Sequence, residues 1–552
     1  MPPLSTTEKF LFYQQMAMDS LHSYQLLDLK NDNNFLRENA HVIMAYIKHL
    51  HRGFYKTELF ESFLTLVQHN QFFALRVVTL HRAQNICLCS DSDFQKHYNY
   101  SYHPNKCGIL EVLKSRLEHE DPLITPLTFQ SLSDTERSID ELICWLNEKY
   151  ADGDSIEGQT LLFDSGFLGP EIVSQDVQSL KEKKQKLIKW PIHVDPFFSN
   201  KNVMCLRMLK KFKSTNGPIE IQVTVIDNVG VDVYSILYKK GDDIRRELAA
   251  ETCIGIFNVF FSSFSNRNSH TKNEKKTQET TQSRSDKSSQ SETQSDQDKE
   301  TVNGTIKEII DSITPYGKTY RVLPLLSGGV IEMVGCTPPK QLCRQHAEMT
   351  CCVDFFEYEA LLAQNCPKCA AALSISRLSE AEGQRLIRSL AGGFISGYVL
   401  GVHDRHLENM KFDLCTWEFF HIDFGYLFNS RPNFDANLFA VPVSIRKQLG
   451  EINMNLKSEV MNGWDLFLKT SADGFIVMRR NAGVLVCLVA LCFFFDDKID
   501  KKFVEEWVNN ILFIGQNESD AVELVIKDLQ KFSVEKMIKD SQHEVLRWLR
   551  GI

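Results

Sequence analysis

Between Ser396 and Phe428 the chain reads SGYVLGVHDRHLENMKFDLCTWEFFHIDFGYLF. Asp404, His406 and Asn409 stand close together in it, and a second carboxylate follows in Asp423-Phe424-Gly425. Asn409 and Asp423 offer the oxygen ligands that a hard cation such as magnesium prefers. Either Asp404 or His406 could take the proton of an attacking hydroxyl, the imidazole because its ordinary pKa lies near neutrality. The residues leave that choice open. The set suits phosphoryl transfer, where catalysis is mostly positioning and charge neutralisation.

The elements around the set must bring its members together. Asp404 precedes Asn409 by the separation found between base and metal-binding Asn in H-R-D-L-x-x-x-N loops. After Asn409, strand-like Met410 to Phe412 and Glu418 to Ile422 would carry Asp423 back to the same place. Upstream, Met204 to Phe212, Ile219 to Ile226 and Val231 to Tyr238 alternate as antiparallel strands, with Asn216-Gly217-Pro218 as a turn. Residues from about 7 to 150 read as helices, since apolar residues recur at three- and four-residue spacing through Phe35, Ala40, Ile43 and Ile47 and through Leu59, Phe63 and Leu66. Ala151 to about 194 reads as a linker or a solvated helix face. Ser265 to Thr301 contains no aliphatic residue and no Phe, Tyr or Trp. That composition predicts a disordered low-complexity insertion.

Gly-Val-His-Asp-Arg-His-Leu-Glu-Asn followed by His-Ile-Asp-Phe-Gly resembles the catalytic and activation loops of the phosphoinositide 3-/4-kinase superfamily, with His403 where those enzymes carry Gly or Lys. The resemblance implies an α+β fold: a two-lobed, protein-kinase-like domain from about residue 195 to the end, with an antiparallel N-lobe and a mainly helical C-lobe, after an all-α accessory region. It also implies ATP and magnesium, or manganese in its place. Ile236 to Leu248, ILYKKGDDIRREL, resembles the family's strand-to-helix motif, commonly F-K-x-G-D-D-x-R-Q followed by Asp or Glu. Lys239 then takes the place of the lysine that pairs with ATP phosphates, and Glu247 the acidic position on the following helix. Ser214, in Lys213 to Pro218, falls where the phosphate-covering loop lies, although a plain hairpin turn fits that composition too. Glu332 and Val334 take the adenine-hinge positions, with Tyr320 lining the pocket. Phe424, Gly425 and Arg431 belong to the segment that faces the lipid headgroup.

That segment, Tyr426 to Pro442, holds one basic residue, Arg431. Extra headgroup phosphates would call for several Lys or Arg, so unphosphorylated phosphatidylinositol is the expected acceptor. The 4-hydroxyl is the expected position: Glu247 stands where 3-kinases usually carry Asp, and CTPPKQLCRQ (336–345) and NFDANLF (433–439) resemble the alpha type of phosphatidylinositol 4-kinase. Against it, the catalytic loop is close to that of class III 3-kinases, which makes a 3-kinase the alternative. A related Ser/Thr protein kinase and a non-catalytic scaffold are further alternatives.

Among the 552 residues, 43% are hydrophobic and 24% charged, as in globular proteins with an ample core. A net charge of -9 argues against a nucleic-acid partner. Fifteen Cys without a secretory signal predict reduced thiols in the cytoplasm rather than a disulfide framework. Cys366-Pro367-Lys368-Cys369 alone is half a zinc site. Ala482 to Phe495 is too short to span a bilayer and reads as a buried helix. The expected location is peripheral on a membrane containing phosphatidylinositol, with the helical region free to meet a regulatory protein. Trp548 between Arg547 and Arg550 suits a membrane surface.

Overall fold

The computed structural model describes residues 4–49, 57–70, 73–74, 76–77, 79–80, 160–163, 187–188, 197–198, 201–212, 217–227, 229–263, 313–325, 328–334, 352–354, 375–405, 409–432, 441–455 and 460–531. Ser214, His406, the 265–301 segment, Cys366, Cys369 and Trp548 lie outside them, as do both stretches that resemble the 4-kinase, 336–345 and 433–439.

The fold is α+β, with an antiparallel sheet flanked by helices in a kinase-like bilobed arrangement behind an all-α region. The N-lobe sheet runs in the order β2-β1-β3-β4-β5-β7-β6, formed by Thr160–Phe163 (β1), Leu187–Ile188 (β2), Asn202–Lys211 (β3), Ile219–Ile226 (β4), Val231–Lys240 (β5), Val322–Leu325 (β6) and Gly328–Met333 (β7). Its pairings are antiparallel except for β1 with β2. Alternation dictates the centre: Ile219, Ile221, Val223 and Val225 of β4 are all buried. The stretch read as a linker supplies β1 and β2 at one edge.

Helix α5 (245–263) follows β5 and buries Ala249, Ala250, Ile256, Phe257 and Phe260. Ahead of it in the chain, α1 (Thr6–Ala17), α2 (Ser23–Asp28), α3 (Asn33–His49) and α4 (Glu58–His69) form the N-terminal helical region. Phe10 of α1 meets Phe260 of α5 edge to face, with ring centroids 5.0 Å apart. The helical region therefore packs on the very helix that follows Lys239.

In the C-lobe, α6 (Glu380–Leu400) starts on a capping box between Ser379 and Glu382 and ends at Gly401 in the left-handed region. β8 (Cys352–Asp354), β9 (Met410–Asp413) and β10 (Glu418–His421) form a three-stranded sheet. Beyond them come α7 (Val443–Gly450), the pair β11 (Asn453–Asn455) and β12 (Val460–Asn462), and the helices α8 (Gly463–Arg480), α9 (Ala482–Cys492), α10 (Lys501–Ile511) and α11 (Glu518–Gln530). α9 buries Leu485, Leu488, Val489 and Cys492, as its uninterrupted apolar run requires. No single described helix is long and apolar enough to cross a membrane; α8 and α9 pass that test only as a pair bent by 85°.

Candidate active site

β9 and β10 return the chain from Asn409 to Asp423, and the ends of this hairpin are held together. The Ile422 N–H donates to the Asn409 carbonyl at 3.1 Å. Arg405, buried beneath them, donates to the carbonyls of His403 (3.0 Å), Asn409 (3.3 Å), Ile422 (2.6 Å) and Asp423. Its guanidinium also lies 5.7 Å from the centroid of the buried Phe424 ring. One planar cation thus fixes the segment that carries Asp404 and Asn409 and the Asp-Phe-Gly turn to each other, a task suited to the rigid fork of Arg.

The Asn409 side-chain amide donates to the Asp404 carbonyl at 2.9 Å, which leaves its Oδ1 as an acceptor. Asp404 (φ 63°) and Asp423 (φ 62°) both occupy the left-handed region, costly for residues with a Cβ and frequent at functional sites. The loop's entry is braced as well. His403 donates its N–H to the Tyr426 carbonyl (3.0 Å), and its Nε2 bonds to Asn429 Oδ1 at 2.7 Å. Gly401 is needed at the helix exit: its φ is 57°, and a Cβ there would collide with the Trp507 ring, whose Nε1 donates to the Val399 carbonyl at 2.8 Å.

On the opposite side, the end of β5 presents Lys239, whose Nζ lies 3.9 Å from Glu247 on α5. The Tyr320 hydroxyl donates to the other Glu247 oxygen at 2.5 Å. Burial raises the Glu247 carboxyl pKa, and the charge of Lys239 and the Tyr320 hydroxyl work against that rise. Asp423 acts on it in both senses, through its negative charge and through a backbone hydrogen bond. Lys239, Glu247, Asp423 and Gly425 line one cavity of about 640 Å³.

Tyr320 does not line that cavity; it stands behind Glu247 and reaches the site through it. Glu332 takes up Arg321 with both carboxylate oxygens (2.9 and 2.5 Å) and donates its backbone N–H to the Arg321 carbonyl at 2.8 Å, which fixes the end of β7 just before Val334. Arg431 is exposed beyond the Asp-Phe-Gly turn.

Arg246 adds a link between the lobes. It pairs with Asp496 at 2.6 Å and reaches the Gly425 carbonyl at 3.4 Å. A signal for it existed in the sequence, since Arg246 stands where the resembled motif carries Gln. Nothing in the sequence marked Asp496.

The donors fit a small hard cation. Magnesium keeps several waters and takes one or two protein oxygens beside substrate phosphates, which Asn409 and Asp423 could supply. No group of three or more His, Cys, Asp or Glu that could hold a metal occurs among the described residues.

Residues 307–499 match the family model described as phosphatidylinositol 3- and 4-kinase. The chain carries a phosphoinositide 3-/4-kinase superfamily domain. Over 173 residues, 30% of this chain and 20% of the relative, it is 29% identical to phosphatidylinositol 3-kinase pik3 of Schizosaccharomyces pombe. It is 33% identical over 107 residues (19% of this chain, 11% of the relative) to phosphatidylinositol 3-kinase VPS34 of Saccharomyces cerevisiae. A probable phosphatidylinositol 4-kinase, the STT4 homolog of Encephalitozoon cuniculi, is 33% identical over 101 residues, 18% of this chain and 7% of the relative. The similarity thus covers a fifth or less of each relative. Within the phosphoinositide-kinase domain it reaches both subtypes and singles out neither.

Proposed function

We propose that the chain transfers the γ-phosphoryl group of ATP to an inositol hydroxyl of phosphatidylinositol. The observation that carries this reading is the shared cavity in which the Lys239–Glu247 pair meets Asp423, with Asp423 tied to Asn409 through Arg405. In this reading Lys239 neutralises phosphate charge and Glu247, braced by Tyr320, holds the ammonium in place. Asp404 or His406 takes the proton of the attacking hydroxyl. Asn409 and Asp423 would hold magnesium, or manganese in its place, which when bound neutralises charge on the phosphates. Glu332, whose N–H is held by Arg321, offers its backbone carbonyl to the purine and Val334 its backbone groups, and Ser214 lies in the segment expected over the phosphates.

Phosphatidylinositol in a membrane surface is the proposed acceptor and peripheral membrane attachment the proposed location, with the N-terminal helices available to a regulatory protein and no nucleic-acid partner. On ring position the 3-hydroxyl is the first reading, supported by similarity to the two 3-kinases over longer stretches, 173 and 107 residues, than to the probable 4-kinase, 101 residues. The catalytic loop, nearest the chemistry, points the same way. The 4-hydroxyl stands as the second reading, on Glu247 and on the 336–345 and 433–439 stretches.

Full-length chain is incubated with labelled ATP, magnesium, phosphatidylinositol liposomes and a generic protein substrate, and the lipid products are separated by chromatography. The expected result is label in a phosphatidylinositol monophosphate, lost in Asp423→Ala with the fold intact. Label in the protein alone, or turnover unchanged in that variant, would overturn the proposal. A 4-phosphate product would overturn only the ring position.

A further inference from the structure

The proposed reaction uses one face of α5. The other face, turned toward the N-terminal helices, borders a second cavity of about 390 Å³, walled by α1 and α3 on one side and by residues 316–322 on the other. Two polar atoms on residues of its wall, His41 Nε2 and Glu251 Oε1, have no hydrogen-bond partner, although the two residues are only 1% and 5% exposed. Buried polar groups are rarely left unpaired, and two around one cavity indicate an occupant with polar atoms.

The charge of the wall says what kind. Arg37 and Arg76, both buried, contribute positive charge, and Lys9, paired with Asp32 at 4.0 Å, adds less. Two acids, Glu251 and Glu38, share the wall. Burial holds the Glu251 carboxyl well above its usual range, and burial raises Glu38 despite the charges of Arg37, Lys9 and Arg321. Burial and the neighbouring Arg76 keep His41 neutral, with a pKa lowered to about 3. Phe35 and Leu80 supply apolar wall. The volume is at the lower end of small-molecule pockets.

We propose that this cavity binds a compact organic anion, whose oxyanion head meets Arg37 and Arg76 and accepts hydrogen bonds from the His41 Nε2–H and the Glu251 carboxyl O–H, and whose body lies against Phe35 and Leu80. The site is wired to the catalytic cleft. Glu251 Oε2 accepts the Tyr320 N–H at 3.0 Å, and the Tyr320 hydroxyl holds Glu247, the partner of Lys239. Transmission to catalysis rests on the ATP role proposed for Lys239; binding does not.

The test is calorimetric titration of the full chain with phenyl phosphate, benzoate, inorganic phosphate and benzyl alcohol. One of the two aromatic anions should bind with one-to-one stoichiometry, roughly tenfold or more tighter than both inorganic phosphate and the neutral alcohol. Binding should weaken by a similar factor in Arg37→Met and in His41→Leu, and persist in Lys239→Ala, which places it outside the cleft. Circular dichroism identifies any variant that fails to fold, and the other then decides. No saturable heat with either anion, equal affinity in the folded variants, or loss of binding in Lys239→Ala would each overturn the site. Because the readout is binding, failure of the kinase proposal would be seen separately in the liposome assay.

Discussion

At the scale of single residues, the site depends on groups that spend their own bonds on holding others. Arg405 donates to four backbone carbonyls and touches neither phosphate nor hydroxyl in the proposed reaction. Arg405→Lys keeps the charge and loses the fork. The catalytic loop and the Asp-Phe-Gly turn should then drift by about an angstrom, enough to lower kcat on the order of a hundredfold. The KM for ATP should change little, because the Lys239–Glu247 pair is untouched; a raised KM with unchanged kcat would refute this role. Tyr320→Phe makes the complementary prediction. The hydroxyl is one of the forces that hold the Glu247 pKa down against burial, so its loss raises that pKa further. The ion pair needs the carboxylate, so the acid side of the pH–activity profile should move to higher pH. A hydrogen bond to a charged group contributes about 1.5–3 kcal/mol, which corresponds to a shift of about one to two pH units. An unmoved profile in the folded variant would show that Tyr320 only fills space.

At the scale of elements, the sequence was readable wherever a period could be counted. The three central strands, the return strand to Asp423 and the buried α9 all followed from alternation or an unbroken apolar run. β1 and β2, with four residues and two, were too short to show a period. The Tyr320–Glu247 bond joins residues 73 positions apart, and the Arg405 contacts end on carbonyls, which no residue type announces. One close approach between elements is also a test. The segment that carries Lys318 and Tyr320 crosses α6 at Gly392, where a Cβ would meet the backbone of Tyr316 and Gly317. Further along, Lys318 closes onto the β9–β10 hairpin, with ion pairs to Asp413 (2.6 Å) and Glu418 (2.8 Å). Gly392→Ala should push this segment off the helix, strain both contacts and destabilise the domain by about 1–3 kcal/mol, the usual cost of overpacking. Urea denaturation would measure it. A neutral effect would mean that the segment gives way freely and positions nothing.

At the scale of the whole molecule, the N-terminal helices share one apolar core with the phosphoinositide-kinase domain, through Phe10 on Phe260 and Lys48 over Phe494. Stability at this junction should depend on pH through His41. In the folded protein, burial and then the charge of Arg76 lower its pKa from 6.5 to about 3. Once unfolded, the imidazole regains its ordinary value and binds a proton first as the solution is acidified. The contribution of neutral His41 is therefore complete above pH 6.5 and is lost as pH falls toward 3, at a limiting slope of about 1.4 kcal/mol per pH unit. Glu251 and Glu38 act in the opposite sense. Their folded pKa values are raised, so their contribution is complete below 4.5 and lost as pH rises through the folded values. The net profile of the native chain mixes the two, and only a difference isolates the histidine. Urea midpoints of native chain and His41→Leu, compared at pH 7 and pH 5, should show the native chain losing more stability on acidification, by an amount on the order of 2 kcal/mol. Parallel losses in the two proteins would mean that His41 takes up a proton inside the fold, and the neutral imidazole inferred at this junction would have to be given up.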